Sequence, residues 1–406
     1  MLELTLADAR ALHLIAQGLG KALASPATKS DVLSAVRQMG ALQIDTIHVV
    51  ARSPYLVLWS RLGDYRPEWL DELLAEGEIF EQRAHEACFV ATEDFPLHRR
   101  VTLDRRERAL EWLDAHPEAV ASVLARISER GEAKSSDFRR IDGRRGTWWD
   151  WKPEKRALEW LLYAGDLMVA RRERFQRVYA PREAVLPDWD DSAAPPTQEA
   201  RRELARRAVR ALGVTTARWL PDYFRMPKHG VEDLLESFVA EGMVVPARVE
   251  GIAAPAYVDS SLLSSTQPPS ACCPTSSVTT ILSPFDPVVW HRERTRDLFG
   301  LDFRIECYVP APKRSFGYFA LPLLHRGAIV GQIDAKAHRA DGLFEVKALR
   351  LAPGVEPDEG LVAELARALV ACAAWHGTPE VAIRHCEPEA VGPALEAEVR
   401  RSIREA

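Results

Sequence analysis

The sequence lacks the features that mark membrane and secreted proteins. None of its 406 residues belongs to an unbroken apolar run long enough to span a membrane, which needs about 18 or more such residues. The opening MLELTLADARALHL carries acidic residues early and no basic segment followed by an apolar one, so no secretory signal is predicted. We therefore expect a cytoplasmic protein that makes no membrane contact.

Cysteine is scarce and unpatterned, and no pair has the CxxC spacing of metal sites. This argues against zinc, iron–sulfur clusters and a disulfide framework, and it fits a reducing compartment. GxSxG, P-loop and HExxH motifs are also missing. We accordingly predict no metal and no cofactor. The six cysteines are Cys88, Cys272, Cys273, Cys307, Cys372 and Cys386.

Lysine is also scarce, since only nine of the 53 basic residues are lysines. The chain as a whole has a net charge of −6. The average hides one basic segment. Residues 126–182 hold 15 Lys and Arg against 9 Asp and Glu, a local charge of +6. Genomic composition bias explains an arginine excess equally well, but it does not concentrate charge in one place. We expect this segment to face a polyanion.

Hydrophobic periodicity repeats one plan along the chain: helix, turn, helix, helix, hairpin. The clearest copy has a helix over 198–212, a second helix capped by Thr215 and ending near Phe224, and a third helix over about 229–241. Two strands follow, in MVVPARVEG and PAYVDSSLL. This is the layout of a winged helix, and 116–182 repeats it with LMVARRERF and QRVYAP as the wing.

The first part of the chain is a more divergent copy, in which Thr5 and Asp8 have the spacing of a capping box. Residues 264–280 have linker composition, and after them strands are predicted in FRIECYVP, FGYFALPLLHRG, AIVGQIDAKAHR and LFEVKALRLAP. A helix at Asp358–Trp375 and a strand VAIRH close the chain. The predicted fold is α+β: three tandem winged-helix domains and a small β-barrel or sheet domain with a C-terminal helix, at 1–112, 113–190, 191–265 and 281–406.

Gln43 and Asp45, in LQIDTIHVV, are the first candidates for chemistry. Two apart on an extended segment, they share one face. A carboxylate and an amide projecting together can position and activate one water. Spacing alone favours a plainer role, in which both side chains satisfy backbone groups between helices.

Four other polar residues are candidates for the site or for DNA contacts. His85 and Glu86 in a predicted strand point to opposite faces, so at most one would share a site with Asp45. Arg52 and Arg61 either contact phosphates or pair with acids such as Asp64 and Glu68.

Aromatic residues stand among basic ones at Trp148, Trp149 and Trp151, flanked by Arg144, Arg145, Lys152 and Lys155. In one interpretation, this run of tryptophans stacks on DNA bases. In the other, at least two of the three tryptophans pack in the hydrophobic core. In PAPKRSFGYF, Lys313 and Arg314 are predicted at a hairpin turn, which either enters a DNA groove or is simply solvated.

The chain resembles one family throughout. The segments that carry the resemblance are LQIDTIHVVARSPYLVLWSRLG, HEACF, GTWWDWKP, LSPFDPVVW and YVPAPKRSFGYFALPLLHRG. They are similar to the winged-helix DNA glycosylase family of AlkZ and YcaQ. The QID triplet places the chain closer to the YcaQ branch, because the catalytic pair of the AlkZ branch is two glutamines.

The resemblance implies a monofunctional glycosylase that cleaves the N-glycosidic bond of N7-alkylated purines and unhooks interstrand crosslinks in bacterial DNA, associated with the nucleoid. It implies that Gln43 and Asp45 are the catalytic pair, with His85 and Glu86 as possible assistants. The partner is double-stranded DNA, and no obligate protein partner is expected. On this view Arg52, Arg61, Lys313, Arg314 and the wing arginines contact DNA. The wing arginines are Arg171, Arg172, Arg174 and Arg177.

Two other functions fit the winged-helix plan. One is a non-catalytic transcriptional regulator, in which Asp45 is structural and operator binding is sequence-specific. The other is a protein-interaction scaffold that binds no DNA at all. The extent of the resemblance favours the enzyme.

Overall fold

The computed structural model describes residues 1–22, 25–138, 151–263 and 276–405 and is a mixed α+β fold. The chain divides into two compact units: Met1–Arg66 with Arg206–Ala406, and Pro67–Ala205. Among the described helices, none is both long enough and apolar enough to cross a membrane. Several predictions fall outside the described residues: those for Arg144, Arg145, Trp148, Trp149 and most of the 264–280 linker.

The described helices and strands alternate along the whole chain. The helices are α1 (Leu6–Ala16), α2 (Lys29–Met39), α3 (Ser53–Leu62), α4 (Glu68–Ala75), α5 (Phe95–Asp114), α6 (Pro117–Arg130), α7 (Pro153–Ala164), α8 (Arg182–Val185), α9 (Thr197–Leu212), α10 (Leu220–Tyr223), α11 (Val231–Ala240), α12 (Arg292–Phe299), α13 (Glu359–Trp375) and α14 (Val391–Glu405). The strands are β1 (Leu2–Leu4), β2 (Leu42–Gln43), β3 (Ile79–Arg83), β4 (Ala87–Ala91), β5 (Ala133–Lys134), β6 (Leu167–Glu173), β7 (Gln176–Pro181), β8 (Val214–Thr216), β9 (Val244–Val249), β10 (Ala256–Asp259), β11 (Thr279–Ile281), β12 (Ala320–His325), β13 (Ala328–His338), β14 (Leu343–Leu351), β15 (Glu380–Ile383) and β16 (Cys386–Glu387).

Local signals place many helix ends where the sequence predicts them. The capping box of α1 is present: the Asp8 N–H donates to Thr5 Oγ1 (3.1 Å), and the Thr5 N–H donates to Asp8 Oδ2 (3.0 Å). Helix α7 ends at Gly165, whose φ of 77° lies in the left-handed region that a residue without Cβ adopts at no steric cost. These ends depend on short-range chemistry alone.

The first unit contains two sheets. The smaller has the order β1-β9-β10-β8 and shares a hydrophobic core with α1 and α12, to which Leu12, Trp219, Val258 and Leu298 contribute. The larger has the order β11-β12-β13-β14-β15, with β16 also paired to β14. Strands β11 to β14 run antiparallel, whereas β15 and β16 run parallel to β14.

The second unit contains two hairpins and a helical layer. Strand β3 pairs antiparallel with β4, and a separate sheet has the order β5-β7-β6. Helix α5 packs on α7, and the β6–β7 hairpin follows α7. The two strands predicted in LMVARRERF and QRVYAP are therefore confirmed as an antiparallel hairpin.

Two predictions of local structure are wrong because tertiary contacts override local preference. Thr215 does not cap a helix; it lies in β8 and pairs with Tyr257 of β10, and the helix begins at Leu220. The predicted strand FRIECYVP (303–310) is an irregular segment. The Glu306 carboxylate closes that segment onto residues 315–317 instead of leaving its backbone to a sheet.

The end of the chain and the basic turn also differ from prediction. The strand VAIRH does not close the chain, because α14 (Val391–Glu405) follows and packs on α13. Lys313 lies in a short 3₁₀ turn, Ala311–Lys313, and not at a β-hairpin tip. Pro310 and Pro312 remove two backbone donors that a hairpin ladder needs, which explains the difference.

Candidate active site

The Gln43–Asp45 segment is held between two helices of the first unit. Helix α2 ends at Gly40, whose φ of 67° turns the chain sharply into β2. After Asp45 a loop runs to α3, which starts with Pro54 in its first turn. Gln43 is buried with Leu42, while Asp45 is half-buried. The predicted extended segment is confirmed at Leu42–Gln43 and ends before Asp45.

Asp45 is a carboxylate with little local support for its charge. The Ile47 N–H donates to Asp45 Oδ1 at 2.7 Å, so the side chain does satisfy a backbone group, as its plainer role required. Burial nevertheless raises the pKa of Asp45, and this hydrogen bond only partly offsets the effect. A desolvated carboxylate of this kind is a better proton acceptor than an ordinary surface aspartate.

Two residues that the sequence interpretation missed lie in the electrostatic field of Asp45. Burial raises the pKa of Cys307 and of Tyr308, and the Asp45 carboxylate raises both further. Tyr308 is 79% exposed, so its ring faces solvent. The only sequence signal was its position just before the PAPKR motif.

The segment that carries Tyr308 is closed at its base by one side chain. The Glu306 carboxylate accepts N–H donors from Ser315, Phe316 and Gly317 at 2.9, 2.7 and 3.1 Å. These contacts lower the pKa of Glu306 although burial alone would raise it. These three hydrogen bonds therefore hold the loop that carries Tyr308.

Arg61 is not available to a DNA phosphate, which corrects its predicted role. Its Nη1 and Nη2 lie 2.7 and 3.0 Å from the two carboxylate oxygens of Asp286, and its Nε donates to Gln17 O at 2.8 Å. Both members of the pair are buried. Neither of the predicted partners, Asp64 and Glu68, is used, because Asp286 comes from a distant part of the chain.

His85 and Glu86 lie in the second unit, in the connection between β3 and β4 and not within a strand. His85 is buried and Glu86 is half-buried. Glu86 is 3.7 Å from Arg83 in a largely exposed ion pair. Their assistance to the Gln43–Asp45 pair stays a prediction.

Three of the four wing arginines are bound by carboxylates within the second unit. Arg172 and Arg177 both contact the buried carboxylate of Glu81, at 2.5 and 2.7 Å. Arg171 pairs with Glu132 and with Glu173. Carboxylates of the second unit thus neutralise these three cations, and their predicted contacts with DNA stay predictions. The fourth, Arg174, is exposed at the hairpin turn with a φ of 50°.

The remaining basic and aromatic candidates are closer to solvent. Lys313 is exposed, and Arg314 lies over the Tyr318 ring at 4.9 Å while its Nε donates to Val309 O. Trp151 is exposed with the Lys155 ammonium 4.0 Å from its ring centroid, so this tryptophan is not a core residue.

Two comparisons with known proteins show what the chain is similar to. A family model described as DNA glycosylase AlkZ-like matches residues 36–375, which includes both Gln43 and Asp45. Among solved structures, the chain is similar to the DNA glycosylase AlkZ of Streptomyces sahachiroi. That match has a TM-score of 0.60 at 15% sequence identity and covers 94% of this chain and 100% of the other.

Proposed function

The chain belongs to the AlkZ-like family of DNA glycosylases, and from this premise we propose that it releases N7-alkylated purines from duplex DNA and unhooks interstrand crosslinks. A DNA glycosylase is a DNA-binding hydrolase of DNA repair. The observation that carries the finer proposal is Asp45, a half-buried carboxylate with a raised pKa in the QID segment. An aspartate at this position also supports assignment to the YcaQ branch.

The chemistry follows from the substrate. Alkylation at N7 makes the purine a cation, so it leaves with the electrons of the glycosidic bond and needs no protonation. The sugar passes through an oxocarbenium-like state, as in glycoside hydrolysis. Asp45 stabilises this cation and takes a proton from the water that adds to C1′, and Gln43 orients that water. The segment contains no lysine to form a Schiff base, so the enzyme is monofunctional.

The proposed DNA contacts are fewer than the sequence suggested. We retain Arg52, Arg174, Lys313 and Arg314, which keep access to solvent or lie at exposed turns. Tyr308 joins them as an exposed aromatic whose pKa the Asp45 carboxylate raises. We omit Arg61 and the three carboxylate-bound wing arginines.

The proposed layout keeps three tandem winged helices at 1–112, 113–190 and 191–265, followed by the sheet domain at 281–406. The partner is double-stranded DNA with alkylated or crosslinked purines, in the bacterial cytoplasm at the nucleoid. A guanine tied to the opposite strand does not swing freely into a closed pocket. The proposed site is accordingly an open cleft.

The test uses duplex DNA with one N7-methylguanine, incubated with wild-type protein, Asp45→Asn and the control Asp64→Asn. Asp64 is an exposed aspartate nearby in the chain, so the control makes the same chemical change outside the site. Abasic sites are counted by alkaline strand scission. We expect base release by wild type and Asp64→Asn and its loss in Asp45→Asn, with DNA binding kept in all three.

A second substrate separates the two parts of the proposal. With a duplex crosslinked by a nitrogen mustard, unhooking by wild type but not by Asp45→Asn supports crosslink repair at the same site. Release of N7-methylguanine without unhooking would restrict the substrate to monoadducts. Equal activity of Asp45→Asn and wild type on both substrates would remove Asp45 from the chemistry.

A further inference from the structure

The loop that carries Asp45 is fastened to the end of strand β13. The Ala337 N–H donates to Val49 O at 3.0 Å, and the Arg339 guanidinium donates to Val50 O. Arg339 lies just beyond the last residue of β13. Both contacts fall within five residues of Asp45 in the sequence. The position of this loop therefore depends on Arg339.

Arg339 is part of a group of basic side chains from three places in the first unit. Arg52 stands at the N-terminus of α3, and His48 lies in the Asp45 loop. His376 follows the last residue of α13; its ring is 4.9 Å from that of Phe344, and its Nδ1 is 2.9 Å from Thr378 Oγ1. We call His48, Arg52, Arg339 and His376 the cationic cluster.

Arg52 and Arg339 disfavour the charge of their neighbours in the cationic cluster. Burial lowers the pKa of Arg339, and Arg52 lowers it further. Burial, Arg339 and Arg52 lower the pKa of His48 to about 4. Burial and Arg339 lower the pKa of His376 to about 4, with a smaller effect of His48. An anion bound by Arg52 and by Arg339, which is exposed at the end of β13, would relieve the repulsion that lowers the pKa of Arg339.

We propose that Arg52 and Arg339, with His48 beside them, bind one phosphodiester of the DNA backbone next to Asp45. This inference rests on the proposed function, because it takes duplex DNA as the anion. The phosphate is covalently attached to the deoxyribose sugars around it, so fixing it positions C1′ relative to Asp45. Arg339 contacts Val50 O as well, so it couples the phosphate to the loop that carries the carboxylate.

The test is the salt dependence of binding to undamaged duplex DNA, measured from about 50 to about 200 mM KCl. Each phosphate contact contributes about 0.9 to the slope of log Kobs against log salt concentration. We expect Arg52→Gln and Arg339→Gln each to reduce the slope by less than about 1, because the remaining arginine still contacts the shared phosphate. The double variant should lose the whole contact, about 1 in total. A loss of about 2 would mean two separate contacts and would overturn the shared site.

Variants and controls separate binding from folding. Arg339→Lys keeps the charge and a donor for Val50 O, so its slope stays near wild type. Arg400→Gln changes an exposed arginine of α14 that pairs with Glu396, and it keeps the wild-type slope. Thermal unfolding of every variant identifies any that fail to fold; Arg52→Gln tests the site without removing the Val50 contact.

Base release measured on the same samples distinguishes this inference from the proposed function. Unchanged slopes in the arginine variants with normal base release would overturn the phosphate site alone. Reduced slopes without any base release by wild type would keep the phosphate site and overturn the proposed lesion. A wild-type protein that does not bind duplex DNA would overturn both.

Discussion

Glu81 in the second unit and Asp45 in the first are both withdrawn from water, yet they respond in opposite ways. Burial raises the pKa of Glu81, but Arg177 and Arg172 outweigh it, and the pKa falls below the ordinary value. Burial also raises the pKa of Asp45, and a single N–H does not reverse it. A buried carboxylate between two cations is structural, whereas one without such partners remains available for proton transfer.

The comparison extends to the arginines around these acids. Charge counts mark residues 126–182 as basic, but Arg171, Arg172 and Arg177 of that segment are bound by carboxylates. Arg339, outside it, lies in the field of another arginine. Local net charge is therefore a poor guide to the surface that meets DNA.

The largest effect is expected at Asp45, where one substitution should lower the rate of base release without lowering the stability of the fold. Asp45→Asn removes the base and should lower single-turnover base release about 10²–10⁴-fold. Because the native site disfavours the ionised carboxylate, the same change should leave the free energy of unfolding equal or slightly higher. Rate and urea unfolding are measured on one preparation. A large loss of stability would show that Asp45, like Glu81, has a structural role.

Glu81→Gln should show the reverse pattern. It leaves Arg172 and Arg177 buried against a neutral group, and breaking a buried pair costs about 3–5 kcal/mol of unfolding free energy. Glu86→Gln, at a largely exposed ion pair, is the matched control and should change stability by about 0.5 kcal/mol or less. Denaturant unfolding gives both values. Equal effects of the two variants would show that the arginines do not depend on Glu81.

The two carboxylates should also respond oppositely to pH. The folded-state pKa of Asp45 is raised, so its ionised form costs stability at neutral pH, and that cost disappears as pH falls through the raised pKa, above the ordinary 3.8. Base release should fall about tenfold per pH unit below that pKa, because the base is protonated. The folded-state pKa of Glu81 is lowered, so its stabilisation is complete above the ordinary 4.5 and lost as pH falls through the lowered value.

Rates of base release between pH 4 and 8, corrected for spontaneous depurination without enzyme, check the Asp45 half of this prediction. Unfolding of wild type and Glu81→Gln, measured from neutral pH to below pH 4, checks the other half. A wild-type rate that does not fall at acid pH would argue against Asp45 as the base. Equal acid sensitivity of Glu81→Gln and wild type would remove Glu81 from acid unfolding.

The smallest effect concerns the wing. Arg174→Ala should reduce the salt-dependence slope of DNA binding by about 1, because this arginine is exposed at the hairpin turn. Arg171→Ala, three residues away, should leave the slope unchanged, since Glu132 and Glu173 already neutralise that side chain. Filter binding across salt concentrations compares them. Equal slopes for the two variants would mean that carboxylate pairing does not decide which arginines meet DNA.

Much of the local structure could be predicted because its causes lie within a few residues. The capping box at Thr5 and Asp8, the stop at Gly165 and the β6–β7 hairpin all follow from neighbouring side chains and turn chemistry. The prediction that Thr215 caps a helix failed for the opposite reason. Thr215 pairs with β10, which lies more than forty residues away in the sequence. The QID segment was found from its motif, but its electrostatic neighbours were not.

By itself, the sequence determined the helix caps, the hairpins, the mixed α+β class and the family, since each is carried by short motifs or local periodicity. Only the tertiary structure decided which charged side chains pair with an opposite charge within the protein. Arg61 pairs with Asp286, which is 225 residues away in sequence, and the Asp45 carboxylate raises the pKa of Tyr308. Burial and the partner of a charge are properties of the packed chain, because both depend on segments that local patterns do not connect.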